Sequence, residues 1–259
     1  MPWVETADAR LFVEVDGEGE PVSVLAHGLG NNRLELAMLT PFIPGTKVRF
    51  DFRGHGRSVG PEDPAAYRFA DFARDLDAVA VAHAARVAVG TSLGAGAIAN
   101  LLVADPTRFD RALWLLPAGL DTEFAFVERY DRLASEYESA EAALAAVDEE
   151  PERVREMLRA PWMEALGGAM WEHEDLAALG RAIRCVVRDH PIADREALRS
   201  VEIPVLMVCM EGDPVHPAEL GRILHGLLPN SELVVYPSGE ALVQGIPDLL
   251  PRAVEFLTS

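Results

Sequence analysis

Val87-Ala88-Val89-Gly90-Thr91-Ser92-Leu93-Gly94-Ala95-Gly96 is the stretch that decides the architecture. An apolar run stops at Gly90, and small residues then continue to about Ala104 in a pattern that reads as a helix. A chain that passes from strand to helix so quickly must bend sharply at Ser92, and only very small neighbours leave room for that bend. The serine then stands at a helix start, where peptide dipoles favour developing negative charge. The Leu93 N–H points to where an oxyanion would form, so Ser92 reads as a nucleophile.

Working outward, the same alternation repeats. Leu11–Val15, Val22–Ala26, Thr46–Phe50, Ala112–Leu116, Val205–Cys209 and Leu233–Tyr236 read as strands. Helical patterns cover about Arg33–Leu39, Phe69–His83, Pro217–Leu228 and Leu249–Leu257. Strands that are continuous apolar runs, alternating with helices, predict a mostly parallel sheet covered on both faces. Ligands of such sheets sit at the carboxyl ends of the strands, where the glycine-rich and polar turns of this chain fall. Residues 121–194 break the pattern, being mostly helical and rich in Ala, Glu and Arg. They are expected to form a helical cap inserted into a core made of residues 1–120 and 195–259, one structural domain in all. Trp162 and Trp171 are candidates for the pocket roof or for packing the cap onto the core.

Two further motifs accompany the elbow. His27-Gly28-Leu29-Gly30 ends an earlier strand, and the Leu29 N–H is the expected second oxyanion donor. His27 either holds this loop or lines the pocket. Asp51-Phe52-Arg53-Gly54-His55-Gly56-Arg57-Ser58 follows the next strand. This run resembles the DxRGxGxS signature of the α/β-hydrolase superfamily, with HGxG before it and GxSxG after it in the family's order. The resemblance covers nearly the whole chain and implies the α/β-hydrolase fold: an eight-stranded-type sheet, helices on both faces and a helical cap. It also implies structural roles for Asp51 and Arg53.

Met210-Glu211-Gly212-Asp213-Pro214-Val215-His216-Pro217 resembles the family's turn carrying the acid, which gives Asp213 the task of orienting a catalytic base. The family places that base, a histidine, after the final strand. Here the segment reads Tyr236-Pro237-Ser238-Gly239-Glu240, and Glu240 occupies the position. Three readings follow. Glu240 acts as acid or base beside Asp213, giving a Ser92–Glu240–Asp213 site for an ester or lactone, or for a lyase- or cyclase-type reaction. Alternatively His216, on the same turn as Asp213, enters the site. In the third, the reaction is lost and a ligand-binding pocket remains.

The net charge of −19 repels phosphate backbones and anionic membranes, so nucleic-acid and membrane partners are not expected. Cys185 and Cys209 form no disulfide framework. No secretory leader or bilayer-spanning run is read, which predicts a cytoplasmic protein with a small-molecule substrate. No metal-ligand spacing and no phosphate-binding glycine loop is present, so no metal or other cofactor is expected. The pattern does not fix the oligomeric state.

Overall fold

Alternate residues of the central strands serve two different cores. Val24, Ala26, Ala88, Ala112, Trp114, Val205 and Met207 belong to one buried cluster; Leu25, Val87, Val89, Leu113, Leu206 and Val208 belong to the other. This period of two, with both faces buried, is what a sheet sandwiched between helices requires. The computed structural model describes residues 2–37, 39–121, 124, 127–136 and 173–259.

The strands are β1 (Trp3–Glu5), β2 (Arg10–Asp16), β3 (Val22–Ala26), β4 (Thr46–Phe50), β5 (Val87–Thr91), β6 (Arg111–Leu115), β7 (Val205–Met210) and β8 (Ser231–Tyr236). They form one eight-stranded sheet in the order β1-β2-β4-β3-β5-β6-β7-β8. β1 and β2 pair antiparallel, β2 pairs antiparallel with β4, and every later pairing is parallel. The described helices are α1 (Phe69–Ala82), α2 (Leu93–Ala104), α3 (Val127–Glu136), α4 (Leu176–Val186), α5 (Ala218–Leu227) and α6 (Gly239–Thr258). α1, α2 and α5 contribute to the first cluster, and α6 contributes Leu242, Ala253 and Leu257 to the second.

Three expectations need correction. β1 was not expected; three residues at a sheet edge are too few to show a periodicity. The helix expected over Arg33–Leu39 is a series of turns, closed by bonds from Glu35 N to Asn32 O, Ala37 N to Leu34 O and Leu39 N to Leu36 O. There the Asn32 side chain takes the Leu34 N–H and the Asp51 carboxylate takes the Arg33 N–H, competing with helical bonding. Finally, α6 begins at Gly239 rather than near Leu249, because Ser238 caps it by accepting from the Ala241 N–H, and it runs on through Pro247 and Pro251.

α3 and α4 come from the segment expected to form the cap. Ala134, Leu179 and Ile183 bury against each other, with Leu29 of the core packed on them. Residues 137–172, including Trp162 and Trp171, lie outside the described residues. No helix among the described residues is long and apolar enough to cross a membrane.

The elbow depends on two close backbone approaches. A methyl group at Gly94 would lie 2.2 Å from the Ala26 carbonyl oxygen, and one at Gly90 would lie 2.6 Å from the Ala95 nitrogen. These obstacles are backbone, so α2 could yield only by moving off the sheet. Gly94→Ala is therefore expected to cost about 3 kcal/mol or more, read as a lowered urea midpoint. A midpoint like that of the parent chain would contradict this packing.

Candidate active site

The chain after β5 reaches Ser92 with φ 48° and ψ −108°, a left-handed conformation that a side-chain-bearing residue adopts only under constraint. The Ser92 N–H is held by the Leu115 carbonyl at 3.0 Å, and the Ser92 carbonyl accepts from Gly96 N–H at 3.0 Å. The hydroxyl is thus fixed above the carboxyl edge of the sheet. Leu93 is the first residue of α2, so its N–H has no acceptor within the helix.

The partner of that hydroxyl is His216. Its Nε2 lies 2.8 Å from Ser92 Oγ, and its Nδ1 lies 3.1 Å from Asp213 Oδ2. A carboxylate only accepts, so Nδ1 carries the proton and Nε2 is free to accept from the serine. The turn is self-braced: Asp213 Oδ1 accepts the N–H groups of Val215 at 2.8 Å and His216 at 3.0 Å. Burial, the largest single influence on Asp213, pushes its pKa up; the His216 and Val215 bonds outweigh it and hold the carboxyl below its usual range. A parallel bridge between Met210 and Pro217 returns the loop beside the end of β7. β7 lies two strands from β5, which leads into Ser92, and β8 lies three away. A histidine on the β7 loop therefore needs less reach than one after β8.

Glu240, expected in the imidazole's position, is corrected by this geometry. It sits exposed in the first turn of α6, where a carboxylate suits the helix dipole, and it accepts from Gln244 Nε2 at 3.2 Å. An open groove lined by Met210–Asp213 and Pro237–Gly239 occupies the space between the two strand ends. The signal for His216 was its place three residues after Asp213, close enough for one turn to present both side chains.

Ser92, Asp213 and His216 thus come together, and Leu29 joins them from the loop after β3. A methyl group on Gly28 would lie 3.4 Å from Ser92 Cβ, so this loop abuts the elbow. Its other peptide groups are tied down. Glu35 Oε2 takes the Gly28 N–H at 2.6 Å, and His27 Nδ1 donates to the Gly28 carbonyl at 2.8 Å. The Gly30 N–H goes to His55 Nε2 at 3.3 Å, and His173 Nε2 donates to the Gly30 carbonyl at 3.1 Å. The Leu29 N–H has no acceptor among the described residues. Among the described residues, the peptide N–H groups of Leu29 and Leu93 are thus left without a backbone or side-chain acceptor on the two segments that meet at Ser92.

His27 does not line the pocket, contrary to one expectation. It is 1% exposed, and its Nε2 accepts the Phe52 N–H at 3.0 Å, so both ring nitrogens serve the backbone. Burial lowers its pKa to about 3, keeping the ring neutral. Asp51 and Arg53 have the structural positions expected of them. Asp51 accepts the N–H groups of Arg33 at 2.7 Å and Arg57 at 2.9 Å, while Arg53 is fully buried on Asp75 and Asp8. Glu35 was not singled out from the sequence. Its carboxyl is raised to about 7, first by burial, against the bonds from Gly28 and Asn31 that lower it.

The structure thus places a strained serine against an imidazole, with a carboxylate behind that imidazole. The chain belongs to the alpha/beta hydrolase family, whose profile matches residues 24–244. Solved structures share the whole architecture. A hydrolase from Pseudomonas aeruginosa superposes with a TM-score of 0.77 at 22% identity, covering 99% of this chain and 98% of the other. The enol-lactonase of Burkholderia xenovorans LB400 gives 0.79 at 20% identity, with 100% of both chains covered. An esterase of a Rhodococcus species gives 0.76 at 21% identity, over 99% and 98%. At these identities the likeness is one of fold.

Proposed function

We propose that this chain hydrolyses small carboxylic esters or lactones through an acyl-enzyme on Ser92, with His216 as base and Asp213 as its orienting acid. The observation that carries the reading is the contact of 2.8 Å between Ser92 Oγ and His216 Nε2. In acylation, Oγ attacks the carbonyl carbon and its proton passes to Nε2. The oxyanion is held by the N–H groups of Leu29 and Leu93. The intermediate collapses, the carbon–oxygen bond to the leaving alkoxide breaks, and that oxygen takes the proton from Nε2. Water then adds to the acyl carbon, giving its proton to Nε2, and the acid leaves as Ser92 regains its hydrogen. Asp213 remains a carboxylate and steadies the imidazolium formed in each half.

Two of the solved neighbours are named an esterase and an enol-lactonase, which accords with this reading. Turnover of p-nitrophenyl butyrate is expected, together with labelling of Ser92 by an aryl phosphonate. Both are expected to vanish in Ser92→Ala. Turnover that survives this substitution would mean that no acyl-enzyme forms on Ser92.

A further inference from the structure

Glu35 is a carboxyl group at the reacting serine that the hydrolytic cycle does not use. A methyl carbon built on Gly28 would lie 3.3 Å from Glu35 Oε1 and 3.4 Å from Ser92 Cβ, so carboxyl and serine flank the same small space. Loop bonding fixes the group there: Oε2 takes the Gly28 N–H at 2.6 Å, and Oε1 takes the Asn31 amide at 2.9 Å. Neither donor is a cation. Arg33, the nearest basic residue in sequence, is committed to Glu14 at 3.0 Å and Asp51 at 3.2 Å. Among the described residues, no ion pair neutralises the negative charge of Glu35. Glu35 is half-buried as a residue, but its carboxyl is the buried end, deep enough for burial to raise its pKa to about 7. A charge in such a place acts on a bound acyl group through a medium much less screening than water.

We infer that Glu35 is a specificity determinant that disfavours acyl groups carrying a negative charge and favours those carrying a positive one. The inference rests on the hydrolytic reading above and adds the charge class of the substrate. A charged group on an acyl chain bound at Ser92 would lie within electrostatic reach of Glu35, since both flank Gly28. A carboxylate on that chain would meet a fixed like charge, whereas an ammonium group would gain a nearby counter-charge that no cation among the described residues shares.

The test compares three p-nitrophenyl esters at pH 8, where the Glu35 carboxyl is ionised. These are the neutral butyrate, the anionic hemisuccinate and the cationic 4-trimethylammoniobutyrate. The readout is kcat/KM for each charged ester relative to the neutral one, in the parent chain and in Glu35→Gln. Glutamine keeps an oxygen for the Gly28 N–H and removes the charge; its amide nitrogen takes the place of the oxygen facing Asn31, whose unpartnered Oδ1 can accept from it once the Asn31 amide flips. The relative value for the anionic ester is expected to rise by about fivefold or more, and that for the cationic ester to fall by a similar factor. Unchanged ratios, with Ser92-dependent turnover of the butyrate intact, would overturn the role of Glu35 alone. Absence of Ser92-dependent turnover of all three esters in the parent chain would overturn the hydrolytic reading and this inference with it.

Discussion

His216→Ala is expected to lower kcat/KM for p-nitrophenyl butyrate by about three to four orders of magnitude. The Ser92 hydroxyl keeps its strained position in this variant because its backbone is held by Leu115 and Gly96, not by the imidazole. On the proposed mechanism, what is lost is the acceptor for the serine proton and the donor for the leaving group. The residual rate would be what Leu29, Leu93 and substrate binding provide. Glu240→Gln is the matched comparison, because Glu240 is exposed and bonded to Gln244. Its kcat/KM is expected to stay within about twofold of the parent value, as for an exposed substitution remote from the chemistry. A histidine placed at 240 is likewise expected to bring no gain, since the Ser92 hydroxyl already has its imidazole. The reverse pattern, with His216→Ala active and Glu240→Gln dead, would restore the carboxylate base and refute the arrangement described here.

Asp75→Ala is expected to give the largest loss of stability, about 3–5 kcal/mol. Arg53 is fully buried; its Nη2 lies 2.7 Å from Asp75 Oδ1 and its Nε lies 2.8 Å from Asp75 Oδ2. Asp8 supplies the second carboxylate, at 3.0 and 3.1 Å, but it is itself 37% exposed. Removing Asp75 leaves a buried guanidinium with only the half-exposed Asp8 as a close partner among the described residues, and that poorly compensated charge causes most of the cost. Urea unfolding followed by circular dichroism measures it. The exposed pair Arg86–Asp110, at 2.7 Å with side chains 49% and 56% exposed, serves as control. Asp110→Ala is expected to cost less than about 1 kcal/mol. Equal losses in the two variants would show that burial of Arg53 does not set the energetics of this network. Because Arg53 also receives the His55 Nδ1 bond at its carbonyl, Asp75→Ala is expected to loosen the support of Gly30 as well.

The parallel core was legible because its strands are buried on both faces. Val22–Ala26 and Thr46–Phe50 were read with the ends the structure gives them. The elbow was legible because Gly90 and Gly94 are demanded by backbone crowding, and crowding leaves a mark in sequence. The Arg33–Leu39 turns were not legible, because their spacing is helical while the decisive bonds come from Asn32 and from Asp51 across the fold. Glu35 escaped notice for the same reason: a carboxylate in a helical pattern reads as a solvated face until the loop brings Gly28 to it. The sequence leaves His216 and Glu240 as alternatives, because alignment on the last strand says which position follows β8 and nothing about how far the β7 turn can reach.

Acid and base sharing the turn from Asp213 to His216 has a structural corollary. On the proposed mechanism, their relative placement is encoded in one short segment, like a cassette, and does not depend on how the last strand and last helix are joined. The β8–α6 junction at Pro237 and Ser238 is then released from chemical duty, and lengthening it by a few residues should leave turnover in place. A single insertion between Pro214 and Val215 should abolish it. The mutational tolerance of the two connections is thereby inverted relative to a hydrolase whose imidazole arrives after the final strand.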